Sequence, residues 1–435
     1  MKPSPRLSTL AKSAFVALCA CTAQFASGQT TAPATYDPAY LQQILKRLEA
    51  QESEIKNLKT ELSRKTGDGG DAAQTTKPET FPKLSFHGFG NIDFSYKNFG
   101  DGTKRVSANT FTIGQLDFFL TSQLNDTMSI LSEVVMEANS MNQMGIDLER
   151  LLFQWRPNDY FNADIGRFHT SVGYYNTAYH HGTWFQTATG RPTILDFEDG
   201  GGIIPAHMVG IHVNGQIPSG SLGLGYVVEV GNGRAYNQAD PGTVQNVGDL
   251  DKYKAVNLAF TLRPDAVHGL ELGAGVYHDV LSPQADATNL TPLNAGRRTD
   301  EFMFHAHAVY KHGPWEYLSE GYLVRHKMSG DAAHITPAGF VQLAHKCGAF
   351  TPYTRFSYVN AISADQAWPF VGASGLHYGP GVGIRWDFCT LAALKLQYDY
   401  IHTHYTPNPA AYTGATPTAI NSWDSAVTAQ ISFTF

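Results

Sequence analysis

The chain has 435 residues, of which only 16% are charged while 12% are aromatic, with 25 Phe and 21 Tyr. That charge fraction lies below the roughly 25% of ordinary soluble domains, and the chain is too apolar and aromatic for disorder. A formal charge of −7 excludes a general nucleic-acid binder, and beyond the N-terminus no run of ~18 apolar residues offers a membrane-spanning helix.

Lys2, Arg6 and Lys12 precede a short apolar core, Ser13 to Phe25, and the small residues Ala26-Ser27-Gly28 follow. This is the pattern of a cleaved export signal over residues 1–28. A lipid anchor on Cys21 would need a lipobox, and Cys19 at its middle position fits poorly. Without the signal, 28 basic residues face 38 acidic ones, a charge near −10. Cys347 and Cys389 then remain, too few for a disulfide scaffold.

After a short segment, 29–39, the stretch 40–65 carries a heptad seam. Leu41, Leu48, Ile55 and Leu62 recur every seventh residue, with Ile44, Gln51 and Leu58 between them. In a parallel pair Arg47 faces Glu52 and Glu54 faces Lys59, so the seam predicts parallel self-association, with Gln51 helping to fix the register. A coil this short needs a second interface to hold the chains together. Residues 66–82, TGDGGDAAQTTKPETFP, read as a flexible linker.

From Lys83 the period becomes two. Leu84, Phe86, Ile92, Phe94 and Tyr96 alternate with polar neighbours, as do Leu394, Leu396, Tyr398 and Tyr400. Sixteen such segments are centred near residues 90, 115, 133, 151, 165, 211, 226, 259, 274, 306, 321, 341, 355, 382, 397 and 430. Several reach the ~9–11 residues of a tilted transmembrane strand. The connections are expected to alternate strictly between short turns, such as Pro157–Tyr160 and His312–Pro314, and longer loops, the longest from Thr170 to about Ala206. A soluble β-sandwich has no reason to segregate its connections in this way. Residues 83–435 are therefore predicted to form an all-β, antiparallel transmembrane barrel of about sixteen strands. An even strand count puts both ends of the barrel on the turn side, where the coil would hang in the periplasm.

The alternation assigns an inward face. It supplies Arg150, Arg156, Arg355, Arg385 and Lys395, together with Asp93, Asp117, Glu133, Glu137, Asp387 and Asp399. If the two signs segregate to opposite walls they set up a transverse field; the plainer outcome is salt-bridging along the wall. In the longest loop, Tyr179, His180, His181, Trp184, Phe185 and Arg191 are followed by Asp196, Glu198 and Asp199. Arg191 and the acidic trio are expected near the narrowest point, unless the loop merely packs its own aromatics.

His305 and His307 share a strand face, as do His402 and His404, but polar lining is the simpler reading; no HExxH or CxxC is present, and no metal or cofactor is expected. The glycine runs Gly200–Gly202 and GPGVGIRW lack the GK[ST] of a phosphate loop. Cys347 and Cys389 fall in successive short turns, ~10 Å apart in an ideal sheet against a ~7 Å limit between Cα atoms, so a disulfide requires the turns to lean together.

These features resemble the sixteen-stranded outer-membrane porins of Gram-negative bacteria. The likeness rests on the export signal, the terminal strand AVTAQISFTF ending in Phe435, the turn and loop lengths and the long third loop. The N-terminal coil looks like that of substrate-selective and phosphate-selective porins with a periplasmic helical extension. The resemblance implies a homotrimer in outer-membrane lipid that passes small hydrophilic solutes or ions, with the third loop folded into each pore. No substrate-defining motif carries over, and the acidic balance does not favour phosphate. Two other classes compete: a closed barrel serving as a tether or adhesin, and an outer-membrane hydrolase, for which the chain shows no nucleophile elbow.

Overall fold

The computed structural model describes residues 81–100, 103–138, 143–196, 202–236, 248, 252–283, 296–365, 374–407 and 418–435. The export signal, the coil with Leu41, Ile44, Leu48, Gln51, Ile55, Leu58 and Leu62, and nearly all of the linker lie outside the described residues.

The period-two stretches form long strands: β1 (Lys83–Gly100), β2 (Arg105–Gln123), β3 (Met128–Ala138), β4 (Met144–Asn158), β5 (Phe161–His169), β6 (His207–Ile217), β7 (Leu224–Asn232), a two-residue β8 (Ala235–Tyr236), β9 (Lys254–Leu262), β10 (Leu270–Pro283), β11 (Thr299–His312), β12 (Trp315–Met328), β13 (Ala333–His345), β14 (Phe350–Ala361), β15 (Gly375–Cys389), β16 (Ala392–Tyr405) and β17 (Ile420–Thr434). Each long strand pairs antiparallel with its neighbours, β7 pairs with β9, and β1 pairs with both β2 and β17. All sixteen long strands thus close into one antiparallel barrel with no free edge, as backbone in hydrocarbon requires.

Alternation sorts the side chains. On β9, Ala255, Asn257 and Ala259 are buried while Val256, Leu258 and Phe260 are exposed; on β14, Tyr353, Arg355 and Ser357 are buried while Phe356 and Tyr358 are exposed. The exposed face is the apolar one, the reverse of a soluble protein. Aromatic groups mark both ends of this belt. Trp155 with Phe161 and Phe350 with Trp386 stand beside the short turns, and Tyr400 stacks on Trp423 at 4.7 Å near the other rim.

The connections depart from strict alternation. Residues 101–104, 139–143 and 329–332, on the rim expected to carry long loops, are as short as turns. The strands take up the difference: β1 and β2 pair as far as Gly100 and Arg105, extending the barrel wall where loops were expected.

Among the irregularities of the sheet, two lie beside the longest loop. Glu133 pairs with Arg150 and Val134 with Leu148, leaving Glu149 as the extra residue of a β-bulge. On β5, Gly166 lies at φ 138°, opposite Gly210 of β6. Asp164 and His169, of opposite parity, both reach inward partners, Arg156 and Glu133 respectively.

Candidate functional site

The β5–β6 connection, which carries helix α1 (Tyr175–Tyr179) and a 3₁₀ turn at Thr193–Leu195, runs along the inner wall of the barrel. Tyr175, Ile194, Leu195 and Ile203 are buried in one apolar cluster with Met303, Leu318, Phe340 and Val359 of the wall. Tyr175 meets the Phe340 ring edge-on at 5.7 Å.

Polar side chains of the wall take up the loop's backbone groups one after another. Glu229 accepts Ser171 N–H at 2.8 Å, His305 Nδ1 accepts Gly173 N–H at 3.1 Å, and Glu320 accepts Tyr175 N–H at 2.6 Å. Arg385 donates to the carbonyls of Trp184 and Gln186 at 2.6 and 3.0 Å. Gln397 accepts Thr189 N–H at 3.0 Å, Arg355 donates to Gly190 O at 3.1 Å, and Lys395 donates to Thr183 O. At the far end Arg234 donates to Ile203 O at 2.7 Å. A buried loop must have its backbone groups paired, and the charged partners among these form the stronger class of hydrogen bond. The approach is close: a Cβ on Gly173, whose φ is 89°, would stand 2.2 Å from both Glu320 and the Tyr322 hydroxyl.

The predicted wall charges lie on the inward face, and several of them are paired locally. Arg150 is bonded to Glu133, Arg156 to Asp164 at 2.6 Å, and Arg385 to Asp387 at 2.8 Å, the local pairing that is the plainer expectation. Arg355, by contrast, donates to Gln342 at 2.9 Å and Lys395 to Gln430 at 3.0 Å. Arg385 and Asp387 share β15, whereas the other two pairs bridge neighbouring strands. Asp93 accepts from Asn91 at 2.7 Å, Asp399 accepts from Gln397 at 2.8 Å, Gln115 donates to Glu137 at 3.5 Å, and Asp117 is fully buried.

Arg191, expected near the narrowest point, bonds within the loop itself. It donates to His180 O at 2.7 Å and to Leu195 O, and its guanidinium lies over the Tyr175 ring at 5.6 Å, so it folds the loop onto itself. Asp196 keeps part of its surface open, but the protein packed around its carboxyl pushes it up to about 7, with Arg191 pulling the other way. Glu198 and Asp199 lie outside the described residues.

Two cavities open toward the short-turn rim. One, of about 690 Å³, is lined by Arg150, Arg156, Asp164, His212 and Arg263; the other, of about 880 Å³, by Trp184, Lys311, Glu316, Arg385 and Asp387.

Cys347 and Cys389 are exposed free thiols, which corrects the possible disulfide. They occupy separate turns, and Cys347 Sγ lies 3.1 Å from His345 Nδ1 instead. Of the histidine pairs, His305 bonds Gly173 while His307 lies 3.4 Å from Glu271, and His402 bonds Asn421 at 3.1 Å. Sequence reasoning missed the buried group of Glu149, His180, His181 and His207, because the β4 bulge overrides the simple alternation at Glu149 and the three histidines come from distant parts of the chain.

No protein-family model matches the chain, and no curated protein matches it by sequence. Solved structures do. An anion-selective porin from Comamonas acidovorans aligns at 12% identity and a TM-score of 0.54, covering 81% of this chain and 99% of its own. The outer membrane channel DcaP of Acinetobacter baumannii aligns at 12% identity and 0.52, covering 82% and 99%. OmpT of Vibrio cholerae, in its trimer form, aligns at 13% identity and 0.51, covering 82% and 100%. The closed strand order, the apolar outer face and these alignments together give the chain the sixteen-stranded antiparallel barrel fold of the outer-membrane porins.

Proposed function

We propose that the chain is an outer-membrane porin: a passive channel for small hydrophilic solutes or ions, narrowed by the loop 170–206. The supporting observation is the division of labour on the wall. Apolar side chains face outward, while inward-facing groups such as Arg355, Arg385 and Glu320 hold the loop by its backbone. A loop held in this way would set the bore, and Arg150, Arg156 and Asp196 would share in tuning which ions enter. The porin and channel among the structural neighbours agree with this reading at the level of the fold.

The same reading includes a homotrimer, joined through the barrels and through the seam from Leu41 to Leu62 in the periplasm. The trimer form of Vibrio cholerae OmpT is in keeping with it.

Purified protein in a planar bilayer should insert with stepwise conductance, in threes if three pores enter together. A silent protein overturns the channel reading. It would favour the closed tether, which the apolar cluster between loop and wall gives some support.

A further inference from the structure

Four side chains from three separate parts of the chain meet in a buried group: Glu149 on the β4 bulge, His180 and His181 at the end of α1, and His207 at the start of β6. Their ligand atoms all lie within 4.8 Å of one another. Glu149 Oε2 is 3.4 Å from His180 Nε2, 3.2 Å from His181 Nε2 and 2.5 Å from His207 Nε2. The ring of His169 covers the group, stacked on His180 with centroids 3.5 Å apart.

Hydrogen bonds around His180 determine which nitrogen it turns inward. Asn176 donates its amide to Thr170 O at 3.0 Å and Ala206 O at 2.9 Å, so its Oδ1 is the acceptor facing His180 Nδ1 at 3.1 Å. A neutral His180 therefore carries its proton on Nδ1 and aims the Nε2 lone pair at the Glu149 carboxylate. Two acceptors face each other there, an arrangement that a cation between them stabilises. An outer partner that orients the imidazole is the usual support of a metal ligand.

Three imidazoles and one carboxylate suit a four-coordinate divalent transition metal. Bonds of ~2.0–2.1 Å in a tetrahedron separate the ligand atoms by roughly 3.3 Å. The His180 and His181 separations from Glu149 already match, and His207 has to draw back. All four positions belong to the protein, which makes the site structural and not catalytic.

We propose that Glu149, His180, His181 and His207 bind one divalent transition-metal ion that staples the loop to β4 and β6. Most hydrogen-bonded anchors of the loop come from β11, β12 and β14 to β16, and one from β7 beside β6. None of them lies on β4 or β6, the strands that the staple would hold. The inference does not depend on whether the barrel conducts.

The test uses the whole folded chain in detergent, stripped by chelator and titrated with Zn²⁺ alone. One Zn²⁺ per chain is expected, with binding weakened at least ~100-fold in His181→Ala and in Glu149→Gln. Substitution of the half-buried His402 and the exposed His404 should leave binding unchanged. Co²⁺ in the same wild-type protein should show the intense visible bands of a tetrahedral site, a readout that needs no variant to fold. Folded wild-type protein that takes up no zinc, a Co²⁺ spectrum that is not tetrahedral, or binding lost with His402 and His404 but kept without His181, each overturns the proposal.

Discussion

Glu320 accepts the backbone N–H of Tyr175 at 2.6 Å, and both residues are buried inside the barrel. The carboxylate sits on β12, so a strand of the wall supplies the acceptor that the first turn of α1 lacks. The same carboxylate accepts the Tyr322 hydroxyl.

Removing that acceptor strands a buried donor. Glu320→Ala should weaken the docking of the loop by about 1–3 kcal/mol, the cost of an unsatisfied buried group. Limited proteolysis of the folded barrel should then cut within 170–206 faster than in the wild type. An unchanged cleavage rate would show that this bond does not hold the loop.

Arg385 clamps two carbonyls, those of Trp184 and Gln186, and lies over the Trp184 ring at 4.9 Å. Arg385→Ala removes charged hydrogen bonds worth about 1.5–3 kcal/mol each before relaxation. Single-channel recordings should show a larger or noisier open level, and a level indistinguishable from the wild type would argue against the clamp.

Asp196 offers a pH test. Burial pushes its carboxyl from the ordinary 3.8 up to about 7, so it is neutral in the folded protein at pH 6 and charged at pH 8. The sign follows from linkage: the folded state holds the proton more tightly, so the stability this group contributes is present below about 4 and is lost as pH rises through 7. In the channel the same ionisation adds a negative charge, and the reversal potential in a salt gradient should move toward cations between pH 6 and pH 8. Asp196→Asn should abolish that movement, and a shift of equal size in the variant would assign it to another group.

Gly166 is held at φ 138°, where an added Cβ would stand 1.9 Å from the Leu151 carbonyl oxygen. Gly166→Ala combines backbone strain of about 1–3 kcal/mol with that clash. The yield of folded barrel should drop sharply on refolding into detergent, whereas Gly220→Ala, also at positive φ but with open space around it, should lose far less.

The barrel was legible because lipid on one side and polar lining on the other enforce a period of two. Leu396, Tyr398 and Tyr400 are exposed outward as that alternation requires, and Lys395 and Gln397 are buried inward. The inward placement of Arg355, Arg385 and Lys395 was legible for the same reason. Their partners were not, since the loop residues they bond lie far away in sequence and are engaged through backbone atoms that carry no sequence signal. Glu149 was hidden by a single inserted residue, and a bulge is set by pairing register, which one strand alone does not reveal. His180 and His181 were noticed as loop residues, but nothing in their spacing points to His207 on a different strand.

The wall grips the loop chiefly by its peptide groups, at Ser171, Gly173, Tyr175, Trp184, Gln186, Thr189 and Gly190. Every residue has the carbonyl, and every residue but proline has the N–H. Loop positions outside the apolar cluster and Gly173 can therefore change their side chains without loosening that hold, so the surface of the loop is free to vary while its seat in the barrel stays the same.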